Sequence, residues 1–84
     1  MNSEELKKLI GSRIALVRKA SGYSQEQLGE LIGVNKQTMS RWERGERTPD
    51  GPFLYEITMH CNCSADFLLG RSDVFEVKQK LVEG

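Results

Sequence analysis

Apolar residues recur along this chain at intervals of three and four, and over no useful length at intervals of two, so the pattern predicts helices throughout. The first stripe is Leu6, Ile10, Ile14 and Val17. It marks the core-facing side of a helix that Ser3 opens as N-cap, with Glu4 and Glu5 in the first turn where acids favour the helix dipole. Gly11 is a soft spot costing ~1 kcal/mol relative to alanine, a place for the helix to begin late or bend. Gly22 closes it. Ser24 opens a second helix, and Gln27 three residues later completes an S-x-x-Q capping box. Leu28, Leu31 and Ile32 give this helix one buried face, and Gly33 stops it with positive φ. After Val34, Asn35 caps a third helix whose inward residues are Met39 and Trp42 and which ends at Gly45.

Thr48-Pro49-Asp50-Gly51-Pro52 reads as a turn-rich connector. Pro52 then suits the first turn of a fourth helix with Phe53, Leu54, Ile57 and Cys61 as its buried stripe. Ser64 caps a short fifth helix that Gly70 closes. The segment 71–84 carries denser charge, and its Val74, Val77 and Leu81 allow a helix without demanding one. The pattern therefore predicts an all-α protein: one compact five-helix domain over residues 1–70, then a short C-terminal tail over residues 71–84.

Composition narrows the class without naming it. Eighty-four residues, 38% hydrophobic and 29% charged, suit a single globular domain and are too apolar for a disordered chain. No apolar run approaches the ~20 residues of a membrane span, and MNSEELKK lacks the apolar core of a signal peptide, so a cytoplasmic location is expected. The net charge is zero, which at first argues against a nucleic-acid partner. Its distribution argues otherwise: residues 1–47 hold nine Lys/Arg and six acids, a balance of +3, and the remainder balances at −3.

The polar residues of the third helix carry the chemistry. A helix that reads a major groove must be short, braced by another helix, and polar on its outer side through its first two turns. Lys36, Gln37, Ser40 and Arg41 form such a side. Gln37 can pair with adenine N6 and N7, and Arg41 with guanine O6 and N7; Lys36 either reads guanine or neutralises phosphate. Ser24, Gln25, Asn35, Thr38, Arg44 and Arg47 flank them as phosphate-contacting candidates, using helix N-terminal amides or charge.

The run from Arg13 to Asp50, with S-Q-E-Q-L, G-V and S-R-W-E-R-G in register, resembles the Cro and lambda-repressor-type helix-turn-helix family, also called the Xre family. The later I-T-M-H-C-N-C-S-A-D-F-L-L-G resembles that family's closing helices. The resemblance spans 58 of 84 residues, from Arg13 to Gly70. It implies a five-helix lambda-repressor-like DNA-binding domain, a phosphate contact at Gln25, base-facing positions at Lys36, Gln37 and Arg41, and an Arg18–Glu43 pair beneath that face. It also implies that Cys61 and Cys63 fill apolar core slots. Gly29 departs from the pattern, where alanine is commoner, and is expected to loosen the second helix by ~1 kcal/mol.

The expected function is thus a sequence-specific transcriptional regulator of bacterial or phage origin, a repressor binding a double-stranded operator as a homodimer. Phe67, Val74, Phe75 and Leu81 are the candidates for the dimer contact. A protein-interaction module on the same fold, such as an antitoxin-like partner or adaptor, is the competing reading, favoured by the neutral charge. Cys61 and Cys63 stand too close for an ordinary disulfide and point to a reducing compartment. His60, Cys61 and Cys63 lack a fourth metal ligand, and no nucleophile, base or phosphate-cradling loop suggests an enzyme. No cofactor, small-molecule substrate or membrane partner is expected.

Overall fold

The computed structural model describes residues 1–75. Among them every regular element is a helix: α1 Ser3–Ala20, α2 Gln25–Ile32, α3 Lys36–Glu43, α4 Gly51–Cys61 and α5 Ala65–Leu68. The cap of α1 is Asn2, one residue earlier than the sequence suggested. Asn2 Oδ1 accepts from the Glu5 N–H at 2.8 Å, and the Glu5 carboxylate accepts from the Asn2 N–H at 3.0 Å. Three residues beyond Ser3 stands Leu6, which cannot return that bond, so the reciprocal box selects Asn2.

The core gathers one face of each helix. Ile10, Ile14 and Val17 come from α1, Leu28 and Ile32 from α2, Met39 and Trp42 from α3, Ile57 and Cys61 from α4, and Phe67 and Leu68 from α5. Of the expected core residues, Phe53 and Leu54 are only half-buried against its edge, and two lie outside it. Leu6 is 40% exposed because the first turn of α1 projects past the core, and Leu31 is 47% exposed. On α2 the buried residues are Leu28, Gly29 and Ile32; at 3.6 residues per turn the centre of that face lies on the glycine side, and Leu31 falls beyond its edge.

Gly11 and Gly29 mark close approach rather than weakness. Helix α1 runs unbroken through Gly11, which is buried where a side chain would strike the carbonyl oxygens of Trp42 and Glu43, the latter at 2.7 Å. At Gly29 a methyl group would stand 2.6 Å from the Val34 carbonyl oxygen. The turn after α2 rests on that absent side chain, so Gly29 is a packing position in this chain.

Cys61 and Cys63 are free and buried. Burial raises both thiols above their ordinary range, Cys63 to about 12.

Beyond α5 the chain turns back onto the domain. Arg13 donates from Nη1 to the carbonyls of Phe67 at 2.9 Å and Ser72 at 3.0 Å, and from Nη2 to Asp73 at 3.2 Å. Its guanidinium lies 4.1 Å from the Phe67 ring centroid, while Phe75 covers another side of that ring at 5.2 Å. The Ser64 N–H donates to the Phe75 carbonyl at 3.1 Å. Packing thus continues five residues past Gly70. Phe67, expected as a dimer contact, is 6% exposed because Arg13 and Phe75 enclose it. Val77 and Leu81 lie outside the described residues.

Candidate nucleic-acid interface

Local hydrogen bonds build the α2–turn–α3 unit. Ser24 Oγ accepts from the Gln27 N–H at 3.0 Å, and Gln27 Oε1 accepts from the Ser24 N–H at 2.8 Å. Gly33 takes φ 88°, and its N–H and that of Val34 both donate to the Gly29 carbonyl, at 2.8 and 2.9 Å. Asn35 Oδ1 then accepts from the Thr38 N–H at 2.8 Å. These caps leave only Val34 between the left-handed glycine and the Asn35 cap of α3, which fixes the angle between the helices. Met39 and Trp42 seat α3 from beneath at 0% and 4% exposure, with the Trp42 ring against Phe53 at 5.3 Å between centroids.

With that face buried, Lys36, Gln37, Ser40, Arg41 and Arg44 line one open groove on the outside of α3. Arg41 also borders a second depression, formed with Thr38, Arg47, Thr48 and the connector to α4. Lys36 and Gln37 border a third with Asn35, Glu26 and Glu30. The base-facing candidates therefore share one surface, while Thr38 and Arg47 stand to one side of it and Asn35 to the other. Glu26 and Glu30, which the sequence reading passed over, put negative charge beside the first turn of α3.

A buried network supports this surface. Arg18 Nε and Nη2 grip the Glu43 carboxylate at 2.6 and 2.9 Å, and Nη1 donates to the Tyr23 carbonyl at 2.8 Å. Gln25 Nε2 donates to the same carboxylate at 3.0 Å. The bond to Glu43 raises the Arg18 pKa against the opposing effect of burial, so the guanidinium stays charged. One carboxylate at the end of α3 thereby joins α1 and the first residue of α2. Gln25 retains one side-chain N–H and its free backbone amide, as expected at a helix N-terminus.

Arg44 is engaged as well. Its Nε and Nη2 donate to the two oxygens of Glu46 at 2.9 and 3.3 Å, and its Nη1 donates to Ser40 Oγ. Ser40 and Arg44, read from sequence as independent contacts, hold each other. Glu46 was missed as part of the site, although it stands two residues after Arg44, between two phosphate-contacting candidates, Arg44 and Arg47.

A capped helix, a glycine turn and a second helix seated by its inner face with an outward polar face define a helix-turn-helix protein. Residues 14–68 match the family model described as helix-turn-helix, and the chain belongs to that family. It is similar to repressor protein C2 of Salmonella phage P22, 39% identical over 61 residues, which cover 73% of this chain and 28% of that protein. Among solved structures, the P22 c2 repressor in complex with a synthetic operator matches with TM-score 0.70 and 36% identity, over 75% of this chain and 96% of that one. The biofilm regulator SinR in complex with DNA matches with TM-score 0.66 and 39% identity, over 71% and 97%. The chain spans about a quarter to a half of the length of such curated relatives, 28% of C2 and 51% of the Bacillus subtilis regulator ImmR.

Proposed function

We propose that this chain is a sequence-specific double-stranded-DNA-binding transcriptional regulator, a repressor that binds its operator as a homodimer. The observation that carries the reading is the division of α3. Met39 and Trp42 are sunk in the core, and Lys36, Gln37, Ser40 and Arg41 are left together on one open surface of a length and shape that enters a major groove. In this reading those four face base edges, and Ser24, Gln25, Asn35, Thr38, Arg44 and Arg47 contact phosphates. Similarity to two proteins solved on DNA supports it. Dimerisation supplies the affinity that so few base contacts lack against ~10⁶ or more competing sites.

The neutral charge that favours a protein-interaction module instead is offset by its placement, since residues 1–47 carry +3. The proposal includes a cytoplasmic location and no catalytic role; among the described residues no helix is long and apolar enough to cross a membrane.

Selection of bound duplexes from a random pool tests the function. The expected result is an enriched motif of two symmetric half-sites about 34 Å apart, one helical turn. Retention of DNA without any enriched sequence would overturn it.

A further inference from the structure

We propose that Glu46 is an intramolecular stand-in for phosphate that occupies Arg44 until DNA displaces it, and so lowers the affinity of this domain for DNA of any sequence. The inference rests on the DNA-binding reading above. Arg44 lines the groove on the outer side of α3. Glu46 meets it with both carboxylate oxygens, in the two-pronged geometry that a guanidinium offers to a phosphate. The pair is about half exposed, 55% for Arg44 and 53% for Glu46, so an incoming backbone reaches it directly.

Glu46 does not simply trail after Arg44. Its own N–H donates to the Arg41 carbonyl at 2.9 Å, which anchors its backbone against the end of α3. A carboxylate there opposes the negative end of the helix dipole and stands beside the surface that meets a polyanion. Among the described residues its side-chain hydrogen bonds go to Arg44 alone, and none reaches the core. Its bond to Arg44 holds the carboxyl below its ordinary range, so it is ionised at neutral pH. The device suits a reader that must release wrong sites quickly: the phosphate contribution acts on all sequences alike, and weakening it leaves discrimination to Gln37 and Arg41.

The test is a double-mutant cycle on a random-sequence duplex, read by fluorescence anisotropy near physiological salt. The four proteins are the unmodified chain, Glu46→Gln, Arg44→Ala and the double variant, each checked for an unchanged helical circular-dichroism melt. Glu46→Gln is expected to bind about two- to fivefold more tightly, the scale of one exposed ion pair. In the Arg44→Ala background less than half of that gain should remain. Binding by Glu46→Gln no tighter than that of the unmodified chain would overturn the proposal. So would a gain of which half or more survives without Arg44, since Glu46 would then act only as bulk charge. Absence of salt-sensitive DNA binding in all four proteins would instead take down the DNA-binding reading, and this inference with it.

Discussion

Glu43 has three bonds on one carboxylate, two from Arg18 and one from Gln25, with both side chains of the ion pair under 10% exposed. Removing one member of such a pair strands the other, so Glu43→Ala should cost about 2–4 kcal/mol in urea unfolding. Arg18→Met with Glu43→Leu should cost less than the two single changes added together. Strict additivity would mean that the pair is not coupled. Cys63 gives a second prediction at this scale. Its folded pKa of about 12 lies above the ~8.5 of a free thiol, so the folded state holds this proton more tightly than the unfolded one. The stabilising effect is complete below pH ~8.5 and is lost as the pH rises from there toward 12. Thermal melts across that range should fall accordingly, and native protein at pH 8 should resist a thiol reagent that labels it in denaturant. Rapid native labelling would contradict the burial.

At the scale of elements, the proposed reading assigns base contacts to the outer face of α3 and a phosphate contact to Gln25 at the start of α2. Gln37→Ala and Arg41→Ala should relax base preference, each contact being worth about 1–3 kcal/mol of discrimination, while Gln25→Ala should weaken binding to all sequences alike. Equal losses on selected and random duplexes for Arg41→Ala would remove its assigned role. The helices themselves were legible in the sequence because their signals are local. The Ser24–Gln27 box, the left-handed Gly33 and the Asn35 cap each span four residues or fewer, and each stands where the spacing put it. Periodicity failed where a helix outruns its support. Leu6 and Leu31 keep helical spacing with core residues, yet whether a position is covered depends on what packs against it. The role of Arg13 was hidden for a related reason: its partners Phe67, Ser72 and Asp73 are 54 to 60 residues away, and nothing in the surrounding sequence marks it. The shared polar face of Lys36, Gln37, Ser40 and Arg41 was legible from spacing, whereas Arg44's engagement with Glu46 and Ser40 depends on side-chain placement that spacing does not fix.

For the molecule as a whole, the fold back from Ser72 to Phe75 decides how dimerisation should be probed. Deleting residues 71–84 removes two of Arg13's partners, Ser72 and Asp73, and the Phe75 cover of Phe67, along with any dimer contact in the tail. Deletion of 76–84 leaves the described domain whole. If the tail carries the dimer contact, the shorter deletion should give a monomer by light scattering with a nearly unchanged melting temperature. The longer one should also lower the melting temperature, by several degrees for a loss near 1 kcal/mol. A dimer that persists after the shorter deletion would assign the contact to the domain itself, where Val74, Tyr55 and Met59 are exposed.

Because Gly11 meets α3 through the carbonyls of Trp42 and Glu43, the seat of that helix is set by backbone and is indifferent to the letters on its outer side. On the proposed reading, exchanging Lys36, Gln37 or Arg41 should alter what is recognised and leave the helix where it was. Any side chain at position 11 moves the helix whatever it is written to recognise. If those residues read the target, descendants of this chain should acquire new targets in a few substitutions with no repacking, so that change of address and upkeep of the fold are inherited separately.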